Sequence, residues 1–218
     1  MTDIALFTLL HLLVFVYWLG GDLGAFYTSR FLIMPGVSAD RRLLAAKIVG
    51  DVDMAPRTAL ILTLPTGLLL SQSKGWIELS LPLLAAVWIA ALGWLALAWA
   101  VHGRHGAAPP LWRQTDLGLR WLLIIGLAAS AAWNIAADGG LPLFLSLKLV
   151  LLAACTALGL YIRAVLKPLG PALVGLNGPD PATAQSNLAA TLNRARPLVT
   201  CIWVLLIAAA LLALFKPL

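Results

Sequence analysis

Charge is scarce in these 218 residues: Asp, Glu, Lys and Arg make up 11% of the chain, against about 25% in soluble domains. A water-soluble enzyme needs far more polar side chains to cover its surface, so that class is excluded. A disordered tail is excluded as well, because 61% of the residues are apolar. Cysteine is nearly absent. Cys155 and Cys201 form no C-x-x-C pair and both fall in apolar runs, which excludes a disulfide scaffold and leaves them as reduced packing residues. Only three His and three Met are present, and they do not cluster. A soft-ligand copper path has little to stand on. Neither of the two longest polar loops carries a Walker motif, a nucleotide fingerprint or a metal-ligand cluster.

Long apolar runs are what the chain does have. Mean hydropathy is +0.95, with nine Trp and a net charge of +6. Trp collects at membrane interfaces and Lys and Arg on the cytoplasmic side, so the basic balance reads as orientation and not as nucleic-acid binding. The fold class is all-α, a polytopic transmembrane helix bundle in a bacterial-type inner membrane, with lipid as its first partner. Asp3 and the lack of Lys or Arg ahead of the first apolar run argue against a cleaved signal peptide, so that run is expected to stay as a helix. No lipidation motif is evident.

A bilayer core needs about 20 apolar residues in a helix. Six segments qualify: 4–30, 56–72, 79–101, 118–137, 142–166 and 197–215. Ser71 to Gly75 ends the second span, Gly103 to Pro110 ends the third, and Asp138-Gly139-Gly140 turns the fourth into the fifth. Twelve of the fifteen Lys and Arg fall on the side that holds the 31–55, 102–117 and 167–196 connections. Lys74, Lys148 and Lys216 are alone on the other side. The positive-inside rule then places both termini outside the cytoplasm. Two cytoplasmic loops are expected to carry short helices. Ser38 caps one over 39–49, and Asp180-Pro181 opens another that ends near Arg196. The whole chain, 1–218, forms a single membrane domain.

Ionisable residues within a span call for a functional hypothesis. His11, Trp18, Asp22 and Ser29 are spaced by seven, four and seven, so they share one face of the first helix and are expected to look into the bundle. Lys148 starts the fifth span at a depth similar to that of His11, with Trp133 and Asn134 close to that level. Each has two readings. His11 either satisfies a neighbouring carbonyl or acts as a ligand. Lys148 either snorkels to the interface or serves the site. Asp22 is expected to pair with Arg57, Arg120 or Arg163. Gly20-x-x-x-Gly24 is a close-packing pattern, or else leaves room for a flat ring. Trp76 and Trp112 read as interface anchors.

Three stretches resemble the HemJ-type protoporphyrinogen IX oxidase family and its wider membrane superfamily. They are His11-Leu12-Leu13 with Trp18, Gly21, Tyr27 and Arg30; Leu147-Lys148-Leu149; and Leu192-Asn193 with Pro197 and Phe215-Lys216-Pro217. The resemblance covers about 8–76 and 141–218. That family has four spans, so 77–140 is implied to be an inserted helical hairpin. The implied function is haem-b-assisted oxidation of a porphyrin substrate in porphyrin biosynthesis, with electrons leaving towards quinone or another respiratory-chain acceptor. His11 would ligate the haem iron, Lys148 would be the catalytic polar residue, and Trp18, Arg30 and Arg57 would hold the cofactor. A homo-oligomer is compatible with this. His102 and His105 sit far from His11 in depth, cannot share one haem with it, and read as solvated loop residues. Two other classes compete: a cofactor-free transport or copper-handling protein, and a structural subunit of a membrane complex.

The charge asymmetry generates the first prediction. Reporter fusions at either terminus are expected to report the non-cytoplasmic side. Cytoplasmic activity from a C-terminal fusion would remove the six-span topology.

Overall fold

The computed structural model describes residues 2–104, 106–137 and 139–216, and among these it is helical with no strand. His105, Asp138 and Pro217 lie outside the described residues. The helices are α1 (Thr2–Ser29), α2 (Ala39–Val52), α3 (Met54–Ser73), α4 (Leu81–Gly103), α5 (Pro110–Ala136), α6 (Leu143–Val165), α7 (Leu169–Gly175) and α8 (Pro181–Phe215). Six of them, counting α2 with α3 and α6 with α7, are long and apolar enough to cross a membrane.

The six long helices form a closed ring. Contacts run from α1 to α3, α4, α5, α6 and α8, and α8 returns to α1. The segment 77–140 supplies two neighbouring members of this wall. There α4 packs on α3 and α5 packs on α6. Side chains fill the interior, with Val14 and Trp18 from α1, Ile61 from α3, Trp94 from α4, Leu127 from α5, Cys155 from α6 and Leu206 from α8 in one buried cluster. Leu32, Ala45, Leu173, Leu188 and Leu192 make a smaller cluster that ties α2, α7 and the start of α8 to the end of α1. Arg42 is buried beneath it and donates to the carbonyls of Leu32, Met34 and Val37 at 3.1, 3.0 and 3.0 Å. Those carbonyls belong to the chain leaving α1, which has no helical partner for them.

The wall is tightest between α1 and the α2–α3 arm. A Cβ on Gly21 would lie 2.6 Å from Ala55 Cβ and 2.7 Å from Pro56 Cδ, and one on Gly24 would lie 3.2 Å from Val52 Cγ1. Small residues on α1 let the two backbones approach. The working pair is Gly21 with Gly24. Gly20 meets nothing within 4 Å, so the expected Gly20-x-x-x-Gly24 spacing is corrected by one residue. The space beside the pair is filled by Ala55, Pro56 and Val52, which removes the flat-ring reading of these glycines. Register follows from this contact. Position 24 opposes 52, position 21 opposes 55 and 56, and position 11 opposes 66 and 67, so α1 runs antiparallel to α2 and α3 along both.

Two helix boundaries differ from the apolar runs. The helix α5 begins at Pro110, well before residue 118, because hydropathy marks where hydrocarbon starts and not where a helix does. The helix α8 passes through Pro197 without a break and joins the expected loop helix to the sixth span. A proline inside a helix removes one hydrogen bond, and here the freed carbonyl belongs to exposed Asn193. Asp180 caps α8 by accepting from the Thr183 amide at 3.1 Å, and that bond holds its carboxyl below the usual carboxylate range. Ser38 occupies the N-cap of α2 with no side-chain bond. Gly75 and Gly140 sit at φ +69° and +82° and turn the chain after α3 and before α6, where a side chain would be strained.

Gly21→Ala is expected to destabilise the purified protein by about 1–3 kcal/mol, the range for overpacking. Gly20→Ala is expected to be neutral or mildly stabilising, since alanine is the better helix former. Thermal unfolding in detergent compares the two. Equal loss at both positions would sink the close-packing assignment.

Candidate functional site

Polar side chains gather at two levels of the ring. The first lies at the end where α1 begins, and α6 begins and α3 ends there too. Trp76, just after α3, packs edge-on against Phe144 of α6 at 5.0 Å. Lys74 and Lys216 stand over the Trp76 ring at 4.9 and 5.4 Å. The start of α1 and the end of α8 therefore share one end of the bundle.

Beneath this cap lies His11. Its Nδ1 is 2.9 Å from Thr66 Oγ1. The Thr66 hydroxyl is fully buried and also lies within hydrogen-bond distance of the Leu62 and Thr63 carbonyls at 2.7 and 3.2 Å; with its proton on the nearer carbonyl, its oxygen accepts from His11. That arrangement assigns the proton to Nδ1 and leaves the lone pair on Nε2. A hydrogen bond to one ring nitrogen of this kind fixes the tautomer and ring angle when the other nitrogen serves as a ligand. Gly67 supports the ring from below, because a Cβ there would lie 3.3 Å from His11 Cε1. Lys148 of α6 lies within electrostatic range of His11, and Lys74 within range of Lys148. The stripe on α1 faces inward, with Trp18 and Ser29 buried and His11 and Asp22 partly so. Asn134 is turned to its own helix and donates to the Ser130 carbonyl at 2.8 Å.

Other residues named from the sequence do not come to His11. Trp18 is 3% exposed in the core, about 10 Å further along α1 and close to Asp22. Arg30 is about 28 Å along the axis from His11, exposed, bonded to the Tyr27 hydroxyl and stacked 3.6 Å from the Tyr27 ring centroid. Arg57 is held by Asp53. His102 is in the last turn of α4, 3.1 Å from Asp51 and edge-on to Trp99, which corrects its reading as a solvated loop residue. Trp112 carries Arg104 over its ring at 4.1 Å.

The second level is ionic and lies at the Arg-rich end. Asp116 of α5 is 4% exposed in its side chain and meets Arg120 and Arg163 at 3.1 and 3.0 Å, with the Trp94 indole N–H at 3.0 Å. Spacing on α5 foretells Asp116 with Arg120 as an i,i+4 pair. Trp94 and Arg163 arrive from α4 and α6, and nothing local in the sequence announces them. Asp22 is paired with none of Arg57, Arg120 or Arg163, because each of these is bonded to another carboxylate. Its Oδ2 is buried without a hydrogen-bond partner among the described residues, and its carboxyl group lies within electrostatic range of Asp53.

Two clefts open on the lipid-facing flanks. One runs between α6 and α8 along Leu147, Leu151, Leu211 and Phe215, and the other between α1 and α3 along Leu10, Val14, Tyr17 and Leu62. Their volumes are about 400 and 350 Å³, and neither is lined by His11 or Lys148. Among the described residues no three His, Cys, Asp or Glu stand together as a metal-binding group. No family model, curated protein or solved structure matches the chain.

Removing one partner of a buried ion pair costs about 3–5 kcal/mol. Asp116→Leu is expected to lose stability on that scale in a denaturant titration. Adding Arg120→Met to it is expected to recover part of the loss. A single variant as stable as the parent would mean that the network is idle.

Proposed function

We propose that this is a haem-b-binding, multi-pass protein of a bacterial-type inner membrane, with both termini outside the cytoplasm. Its class is an oxidoreductase like the HemJ-type protoporphyrinogen IX oxidases, acting on a porphyrin and passing electrons towards the quinone pool. The observation that carries the cofactor part is the His11–Thr66 bond, which leaves Nε2 as a free, oriented lone pair at an apolar depth. That fits an iron ligand. The other proposed holders fit less: Trp18 is committed to the core, Arg57 to Asp53 and Arg30 to Tyr27.

Bound haem would supply one-electron redox chemistry. The chain's own residues have simpler tasks. Thr66 holds the imidazole at one angle and in one tautomer. Gly67 gives the ring its seat. Lys148, within electrostatic range of His11, would attract a carboxylate of a tetrapyrrole or substrate on the same side. The cofactor-free reading, as a structural subunit or transporter, draws on a different observation. The ring interior is filled by side chains such as Trp18 and Trp94, and the two lipid-facing clefts are not lined by His11.

Purified protein, reconstituted with haemin, is expected to show a Soret band. His11→Ala should abolish it, while His102→Ala should not. Thr66→Val should weaken retention about tenfold, the scale of one lost hydrogen bond of about 1.5 kcal/mol. Lys148→Met should disturb the spectrum more than Lys216→Met. No Soret band after reconstitution, or undiminished binding by His11→Ala, would leave the cofactor-free reading in its place.

A further inference from the structure

Asp22 lies inside the first span, about 10 Å along the axis from Ser29 at the end of α1. The two oxygens of its carboxyl are served unequally. The indole N–H of Trp18, one turn back on α1, donates to the group. The other oxygen, Oδ2, is buried with no hydrogen-bond partner among the described residues. An anion held in this way has neither water nor a full set of donors. The neutral acid costs far less to leave unpartnered than the carboxylate does.

The surrounding groups supply no counter-charge. Val52 and Ala55 meet α1 at positions 24 and 21, so Asp53, between them in the chain, stands at the level of Asp22. It is itself an acid, and its carboxylate is bonded to Arg57. On α2, Asp51 is bonded to His102 of α4. Arg120 and Arg163 are bonded to Asp116. From α8, Arg196 lies over the ring of Phe26 at 5.8 Å, one turn beyond Asp22. From α6 comes Cys155, a free thiol in the same buried cluster as Trp18. Among the described residues no ion pair includes Asp22.

We propose that Asp22 is a proton-binding site, which rests in the membrane as the neutral acid and exchanges its proton with water at the Arg-rich end. Asp53, with 35% of its side chain exposed, marks the aqueous edge of that exchange. When the proton leaves, it passes to water, and a second negative charge appears at the level of Asp53. Burial and that like charge both draw a proton back. Buried acids of this kind serve as proton relays in pumps and transporters. Asp22 is about 16 Å along α1 from His11, and the site stands whether or not haem binds.

The full chain in lipid nanodiscs, treated with dicyclohexylcarbodiimide, provides the test. This reagent partitions into hydrocarbon and adds to a protonated carboxyl but not to a carboxylate. Peptide mass spectrometry then locates the adduct. Label is expected on Asp22 and not on Asp116, which is equally deep in the protein but is an anion bonded to Trp94, Arg120 and Arg163. Labelling of Asp22 is expected to be fast in acid buffer and to fall off as the pH rises. Asp22→Asn should lose the adduct. Asp53→Asn removes the like charge and frees Arg57, and both changes favour the Asp22 anion. Its fall-off is therefore expected at lower pH than in the parent. No label on Asp22 at any pH, labelling indifferent to pH, or a fall-off that Asp53→Asn leaves in place would each overturn the proposal.

Discussion

The approach of α1 to α3 at Gly21 and Gly24 is the constraint on which the rest depends. Two helices in lipid gain little from excluding water, so they associate by packing and by hydrogen bonds. With no side chain on those two turns, Ala55, Pro56 and Val52 seat directly against the α1 backbone. That seat sets a register, and the register holds along the length of both helices. It places the imidazole of His11 opposite the Thr66 hydroxyl and Asp22 near the start of α3. A shift of one residue would rotate His11 by 100° around α1, away from Thr66. The placement of His11 is in this sense a product of glycine packing about three turns away.

Hydrocarbon does not tolerate polar groups left unmatched, and the ring meets this demand differently at its two levels. Around His11 the solution is neutral and local: a hydroxyl that donates down its own helix and accepts from the ring. At the Arg-rich end it is ionic and shared among helices, with one carboxylate fed from α4, α5 and α6. The second arrangement locks three members of the wall together, including the two supplied by 77–140. Asp22 stands between the levels and belongs to neither network.

Much of this was legible in the residues, and the limits have physical causes. Six apolar runs announced six membrane-length helices, because the bilayer demands continuous hydrophobic length. The spacing of His11, Trp18, Asp22 and Ser29 announced an inward face, because 3.6 residues per turn is a property of the backbone. Which helices would be neighbours was not legible, since lipid-facing and protein-facing leucines are the same residue. Asp22 was therefore assigned an arginine partner that other acids hold. Nothing local in the sequence marks Thr66 as a partner of His11, because its role depends on the register set at Gly21. Pro197 misled for a different reason: a helix with one exposed carbonyl to lose passes through a proline at small cost.

That passage through Pro197 has a geometric consequence. The helix α8 is 35 residues long, about 52 Å at 1.5 Å per residue, well beyond the roughly 30 Å of a hydrocarbon core. Its first turns are bound to α2 and α7 through Leu188 and Leu192, and just past its other end Lys216 stands over Trp76. A helix of that length extends past the hydrocarbon core and reaches contacts on both sides of it. The buried cluster around Leu188 and the aromatic cap above His11 thus lie at the two ends of one continuous helix.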